Sequence, residues 1–524
     1  MRNLSSILVA LVLLTANFPP AHAESITLDL LEAVRLAMQH SPSITQQEQI
    51  LAQKKGAVQE ALGTFDPELK LNTALEHDDQ PLNPSSQALY SKNHDRITTL
   101  ITSLDLSTAT RHGITLGPNL TLQREAEDIV PGEADNTAFL SFAVNIPMLR
   151  GSGRTVVEGP LRAARIDEHA SLLDLAHIAS AAVRDTAKNY WSTLAAQESL
   201  AVLTEIEQDS HELRDSTAIL VAKDEVPAIR LDTLTADAQS PTADRMRQEH
   251  AVLSAGEQLQ LSMGQQRNAA VRAKGRFPQA HTGLAPEDDI LALAMSARRD
   301  AAAENLRSAY YAALVQVYKN ALLPQLDASA KIGLRGLETD DATQAYLEST
   351  HTNTRGPYYS LGLNLTVPFG NNAAEGILAQ YQAMHARQKL LVEQTAQNIR
   401  ADVRTAYSAV RSAAQRLAVQ EESVGHYRIA MTKTQVGFAH GMISLSDIID
   451  MRDTYRDSML KLISTKEAYA HALIDLWHAS GCAVMVQADQ MHIDPNVFFT
   501  PPTTPLPAAP APQDIARIAG DAHD

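Results

Sequence analysis

Leu200-Ala201-Val202 stands in one half of this chain and Leu417-Ala418-Val419 in the other, at an offset of 217, and the same offset carries Tyr190 onto Tyr407, Glu205 onto Glu422, Leu259 onto Leu476, and Gly159 and Gly264 onto Gly376 and Gly481. Ala-rich helices produce chance matches of Ala and Leu. They do not produce an ungapped register that also aligns Gly, Tyr and a tripeptide. Upstream the correspondence continues: Leu36-Ala37-Met38 returns as Leu293-Ala294-Met295, Ala52 as Ala309, Pro67 as Pro324 and Leu69 as Leu326, at an offset of 257. Ile146-Pro147 then meets Val367-Pro368 at 221, so the first copy holds 36 extra residues between Pro67 and Pro147, and four more before Gly159. A period this long is no solenoid; one unit has been duplicated, and the two copies are expected to pack side by side.

Each copy opens with helical pattern. Leu28, Leu31, Val34, Leu36 and Ala37 give an apolar face, Ser41-Pro42 breaks it, and a second helix runs to about Gly63; Ile290 to Ala321 repeats this. Alternation of period two follows, in Leu69, Leu71, Thr73, Leu75 and again in Ala328, Ala330, Ile332, Leu334. The returning strands are clearer: Leu140, Phe142, Val144, Ile146 alternate with small and polar residues, as do Tyr359, Leu361, Leu363, Leu365, Val367. Such alternation over roughly ten residues is the signature of a transmembrane β-strand, and equally of a soluble sandwich strand. Two strands per copy are too few to bury a sandwich core. The extra residues of the first copy read as another hairpin, Leu100, Thr102, Leu104, Leu106 and Ile114, Leu116, Leu120, Leu122, with Pro118 weakening its second strand. The sequence leaves open whether this hairpin joins a barrel or projects from it.

Long helices come next. Gly159 to Ala222 contains only Pro160, at a tolerated N-terminal position, and Gly376 to about Gly437 matches it. Val392, Ile399, Ala406, Ala413 form one line of heptad spacing and Ala396, Val403, Val410, Leu417, Val424 another, with small residues that allow close helix approach. Breaks at Lys223 to Pro227 and His440 to Ser444 precede shorter returning helices that end at Gly264 and Gly481.

The N-terminus reads as a secretory signal: Arg2, the apolar run Ile7 to Leu14, and Ala21-His22-Ala23 as a cleavage site. No Cys directly follows that site, so a lipoprotein is not expected, and the single Cys482 allows no intrachain disulfide. No later apolar run is long enough for a helical span, so membrane entry would require a closed barrel. A formal charge of -17 argues against nucleic acid as a partner. The expected organisation is a signal peptide 1–23; a first repeat 24–264 with strands over about 67–147, the additional hairpin over about 98–124 and a helical hairpin 159–264; a linker 265–285; a second repeat 286–484 with strands over about 326–368 and a helical hairpin 376–481; and a disordered tail 485–524 rich in Pro.

In this order, Leu31-Glu32-Ala33 with Leu36-Ala37-Met38, the strand entry Leu323-Pro324-Gln325-Leu326, the exit Asn145-Ile146-Pro147-Met148-Leu149-Arg150-Gly151, the stretch Gly437 to Asp450 and the closing Leu476 to Gly481 resemble the TolC-like outer-membrane efflux family over nearly the whole mature chain. The resemblance implies a mainly α fold with a membrane β-barrel: a homotrimer in which four strands per protomer close a 12-stranded barrel in outer-membrane lipid and the helical hairpins form a periplasmic tunnel. It implies the exit channel of a tripartite efflux or type I secretion system, docked at its tip to a periplasmic adaptor (membrane fusion) protein and an inner-membrane transporter. Carried over residue by residue, it places Asp447 and Asp450 at the channel constriction, with Arg230 where the first copy would hold the equivalent of Asp447, and Val226, Pro227, Gly437, Gly441 and Met442 at the adaptor-facing tip. Gly441 is expected to end the descending helix at positive φ. Ser444 and Asp447 also have the spacing of a capping box, and both roles are compatible.

Two other classes fit the sequence less well. An enzyme has little support: no His pair or Cys pair has zinc spacing, and no catalytic, metal or cofactor residues are expected. His440 and His478 read as solvated or packed, and Gly151-Ser152-Gly153 lacks the spacing of a phosphate loop. A periplasmic coiled-coil adaptor, or a structural envelope protein without channel activity, would explain the helical hairpins but not the duplicated membrane-type strands.

Overall fold

The computed structural model describes residues 26–129, 133–224, 227–265, 270–281, 283–339, 343–351, 355–487 and 490–503. The expected signal peptide and the tail from 504 onward lie outside these residues. The first copy comprises β1 (Ile26–Leu28), α1 (Leu30–His40), α2 (Pro42–Leu62), β2 (Glu68–Pro81), α3 (Pro84–Tyr90), β3 (His94–Ala109), β4 (Thr115–Glu127), β5 (Ala134–Pro147), α4 (Arg154–Val157), α5 (Gly159–Ala222), α6 (Ile229–Asp237), α7 (Gln239–Ser262) and β6 (Val271–Ala273). The second comprises α8 (Glu287–Ala297), α9 (Arg299–Asn320), β7 (Gln325–Thr339), α10 (Thr343–Glu348), β8 (Arg355–Thr366), α11 (Asn372–Ala439) and α12 (Leu445–Ala479), followed by the short hairpin β9 (Met485–Gln487) and β10 (Gln490–His492). The described residues divide into two compact units, one drawn from 26–48, 174–299 and 396–503, the other from 49–173 and 300–395.

The first unit is helical. Asp29 caps α1 in a reciprocal box with Glu32, and the helix buries Leu30, Ala33, Val34 and Ala37. That stripe differs from the expected one: Leu28 lies in β1, Leu36 is half-buried and Leu31 stays exposed. Tyr190, Trp191, Leu259, Met263, Leu473, Ile474 and Trp477 complete the core around it. β1 pairs in parallel with β6, so the linker is stitched to the chain start, and Tyr190 donates to the Lys274 carbonyl at 2.6 Å. Burial, with Asp29 nearby, pushes the Tyr190 phenol up to about 12.

The duplication is visible as repeated backbone contacts. Gly264 and Gly481 end α7 and α12 at φ +67° and +77°. A Cβ on Gly264 would lie 1.9 Å from the His40 carbonyl oxygen, and one on Gly481 would lie 2.9 Å from the Arg298 nitrogen. His40–Ser41 and Ala297–Arg298 are the equivalent helix breaks of the two copies. Only glycine combines the left-handed conformation with that approach.

The expected heptad lines of α11 are buried at Ile399, Val403, Ala406, Val410, Ala413, Leu417 and Val424, whereas Val392 and Ala396 are only half-buried. The returning helix of the first copy is not the single helix expected. It divides at Ala238, because Pro241 lacks an N–H and crowds the carbonyl four residues back. The second copy has Ser458 at the equivalent place and α12 is unbroken. The beginning of the tail also departs from disorder. Val497 and Phe498 are buried, Trp477 donates to the Thr500 carbonyl at 2.7 Å, and Ala285 donates to the Pro502 carbonyl at 2.9 Å. Aromatic and aliphatic side chains at Val497 to Phe499 gave these residues something to bury, which the Pro and Ala count hid.

The second unit is built on one sheet in the order β2-β3-β4-β5-β7-β8, every neighbour antiparallel. The mainly helical fold with a sheet is as expected, but the count of four strands per chain gives way to six. The additional hairpin stands in the sheet between β2 and β5. Its ladder is interrupted beside Pro118, between the pairs Asp105–Asn119 and Thr108–Leu116, while β4 still pairs with β5 across that point. Beneath the sheet, Ala163, Ala313 and Leu314 pack with Tyr310, Tyr318 and Tyr381.

Candidate functional site

The sheet has two chemically distinct faces. On one, the register lines up Leu71 with Leu104, Leu104 with Leu120, Leu120 with Leu140, Leu140 with Leu334, and Leu334 with Pro357. A second row joins Phe142, Ile332 and Tyr359. Leu71, Leu140, Ile332, Tyr359, Leu361 and Leu363 are all exposed in the single chain. A soluble protein does not present a continuous apolar sheet face of this kind. Pro357 to Leu365 spans about 27 Å along β8, or about 21 Å along the normal at a tilt of about 40°, close to the apolar band of an outer-membrane barrel. The opposite face carries Lys70, Asn72, Asp105, Asn119, Gln123, Ser329, Lys331, Arg335 and Asn364. There Lys331 and Arg335 lie 4.7 and 5.3 Å from the Phe139 ring centroid. No described helix is long and apolar enough to cross a membrane.

The hairpin tip of the second copy is formed by backbone chemistry. Gly441 has φ +68°, as expected. The Met442 N–H donates to the Gly437 carbonyl at 2.9 Å and the Gly441 N–H to the Phe438 carbonyl at 3.0 Å, which together close a Schellman motif. Ile443 folds back on Gly437, where a Cβ would lie 2.8 Å from its Cδ1. Thr432, Lys433, Val436, Gly437, Met442 and Ile443 line an open groove of about 350 Å³. Met442 is 74% exposed at its rim.

Ser444 and Asp447 form the capping box that starts α12. The Asp447 N–H donates to Ser444 Oγ at 3.2 Å, and Asp447 Oδ2 accepts from the Ser444 N–H at 3.2 Å and from its hydroxyl at 2.7 Å. Asp447 and Asp450 are both exposed on that helix, as is Arg230 on α6. Pro227 is exposed and accepts from the Arg230 N–H at 3.1 Å. Val226 lies outside the described residues. His440 bonds the Val436 carbonyl at 2.8 Å, and His478 is packed beside His177 with Ser180 Oγ at 2.9 Å. Among the described residues no cluster of His, Cys, Asp and Glu has the arrangement of a metal site.

Sequence reading missed Arg452. Its side chain is buried, donates to Asp237 at 2.6 Å and to Ser210 Oγ at 2.8 Å, and clamps α12 to α6 and α5. Ile448, Arg452, Tyr455, Met459 and Leu462 run at three-four spacing, so a cation on an inward line was the available signal. Nearby, burial raises the Asp209 carboxyl above its ordinary range, with Glu205 and Glu212 adding to the shift.

Residues 290–482, the second copy, match the family described as outer membrane efflux protein. No functionally curated relative matches the chain. Among solved structures, the Campylobacter jejuni CmeC outer membrane channel is similar at 14% identity and a TM-score of 0.63, over 86% of this chain and 85% of that one. The outer membrane protein VceC of Vibrio cholerae is similar at 13% identity and a TM-score of 0.60, covering 86% and 96%. The open state of the Neisseria gonorrhoeae MtrE outer membrane channel gives 14%, 0.61, 86% and 88%. The fold is therefore shared with these outer-membrane channels, and the second copy is similar to the outer membrane efflux protein family, in line with the TolC-like resemblance.

Proposed function

We propose that this chain is one protomer of a trimeric outer-membrane exit channel, serving a tripartite efflux or type I secretion system. One observation carries the reading: a single sheet with one apolar and one polar face, in which the outer edges of β2 and β8 have no strand partner among the described residues. In lipid each open edge would leave a row of unsatisfied N–H and C=O groups, and closure by further copies removes both edges at once. Cyclic symmetry supplies the copies. The helical hairpins form the periplasmic tunnel and the protein acts as a conduit, without catalysis. Purified from outer membranes, the protein is expected to have the native mass of three protomers and to conduct ions in planar bilayers. A native mass of one protomer refutes this reading.

The tip is assigned two roles. The apolar groove beside Gly437, Gly441 and Met442, together with Val226 and Pro227, takes the adaptor, which an exposed Met at a groove rim supports. Asp447 and Asp450 form the constriction with Arg230 as counter-charge. Their exposure and their spacing of three along one helix support this, and the capping bond does not compete with it.

A further inference from the structure

We propose that the inserted hairpin β3–β4 is a stretch of membrane wall, so that three copies of this chain close an 18-stranded barrel, each β8 edge pairing with the β2 edge of the next copy. This rests on the trimeric channel reading and goes beyond it, because two strands per repeat would give twelve.

The hairpin is not appended to the sheet edge. β3 ladders along the length of β2, β4 along the length of β5, and β2 and β5 are not paired with each other. Removing the hairpin from the wall would break both ladders and leave two new edges in lipid. Its side chains continue the wall pattern in register. Leu100, Leu104, Leu120 and Leu122 fall on the same face as Leu71 and Leu140, while Ser103, Asp105, Asn119 and Thr121 fall on the other. On the polar side, Asn119 donates to Asp105, and Gln123 donates to Glu125 at 3.1 Å. A hairpin plugging the lumen would have no use for an apolar row matched to its neighbours. The turn is also fixed: Arg111 pairs with Glu158 at 2.8 Å, and the Gly153 N–H donates to the His112 carbonyl at 3.3 Å.

Closure by copies is geometrically allowed. β2 leaves the helical end of the sheet and β8 returns to it, so the two edges are antiparallel and an even number of strands keeps every junction antiparallel. At a spacing of about 4.8 Å and a tilt of about 40°, 18 strands make a barrel about 36 Å across, against about 24 Å for twelve. The cross-section roughly doubles, and the outer exit of this channel admits bulkier cargo than a 12-stranded one.

The test uses the full chain in liposomes, with Cys482→Ser as background. Leu104→Cys and Leu120→Cys report the proposed lipid face, Ser103→Cys and Thr121→Cys the lumen, and Leu363→Cys on β8 is the reference for the wall. Leu104→Cys and Leu120→Cys are expected to resist a charged maleimide as Leu363→Cys does, to react with a membrane-permeant one, and to give a label quenched by brominated lipid. Ser103→Cys and Thr121→Cys are expected to react with the charged reagent. If Leu104→Cys and Leu120→Cys react with the charged reagent while Leu363→Cys is protected, the hairpin is not in the wall and the trimeric channel stands. If Leu363→Cys also reacts, the barrel itself is wrong and the proposal falls with it. Cryo-electron microscopy of the unmodified trimer in nanodiscs counts the strands directly, and a 12-stranded wall overturns the proposal.

Discussion

Replacing Arg452 by Ala should loosen one short helix out of proportion to the size of the change. α6 is nine residues long, is separated from α7 at Ala238, and buries a single side chain, Leu234. Its other attachment is the 2.6 Å bond from Arg452 to Asp237, with Ser210 holding a second guanidinium nitrogen at 2.8 Å. The Arg452 side chain is only 3% exposed and that of Asp237 20%. Truncating one member of so buried a pair leaves the other desolvated without a partner and costs about 3–5 kcal/mol. Three kcal/mol corresponds to roughly a 150-fold change in an equilibrium constant, since about 1.4 kcal/mol is tenfold. Hydrogen exchange read by mass spectrometry should therefore accelerate about 100-fold or more in α6, where opening is local, and far less in the buried part of α5. Arg452→Lys keeps the charge but not the fork, and should fall between. Arg452→Met with Asp237→Leu removes both charges and should recover most of the protection. Exchange in α6 that changes less than about tenfold in Arg452→Ala would refute the claim that this pair anchors the helix.

Gly264→Ala should reduce the yield of assembled trimer more than Gly481→Ala, because its Cβ would meet the His40 carbonyl at 1.9 Å against 2.9 Å to Arg298; heat-resistant trimer in membranes measures both. Asp447→Ala with Asp450→Ala should weaken divalent-cation block and cation preference in single-channel recordings. Asp447→Asn keeps an oxygen for the Ser444 N–H while removing the charge, so an Asn variant with unchanged block would leave Asp447 as a cap worth about 1 kcal/mol and nothing more. Gly441→Val should lower export without changing trimer assembly, since a β-branched residue tolerates φ +68° poorly. Burial holds the His471 imidazole below its ordinary range against the pull of Glu467, with Lys188 and Asp475 also near. A depressed value means that this contribution is present above about pH 6.5 and is lost as pH falls through the lower folded-state value. His471→Gln should flatten that part of a thermal-melting profile against pH.

Most of the helical architecture was legible because helices announce themselves locally. The break at Ser41, the span of α5 and the heptad lines of α11 all follow from neighbours within a few turns, and the constant offset of 217 joined the copies without any structural knowledge. The strands were legible one at a time, but their number in the sheet was not. Whether β3 and β4 share a wall with β5 depends on pairing between residues far apart in sequence, and a short alternating run has the same pattern on either side of that question. Pro118 argued against β4 as an inner strand, yet the ladder simply skips two pairs beside it. Pro241 was overlooked for the opposite reason: the pattern around it is helical, and the cost shows only as a division at Ala238. At the tip, Gly441 could be read from its position after a helix, whereas the clamp at Arg452 needed three helices to be brought together before its partners could be known.

Pro241 has a mechanical meaning for the duplicated hairpins. A helix stripped of a backbone bond bends where its twin resists, and Ser458 marks the twin. Three such chains around an axis would alternate compliant and stiff staves. A pull applied at the rim would be taken up by one set and carried by the other, so that the duplicated halves would have divided between them the tasks of yielding and bearing load.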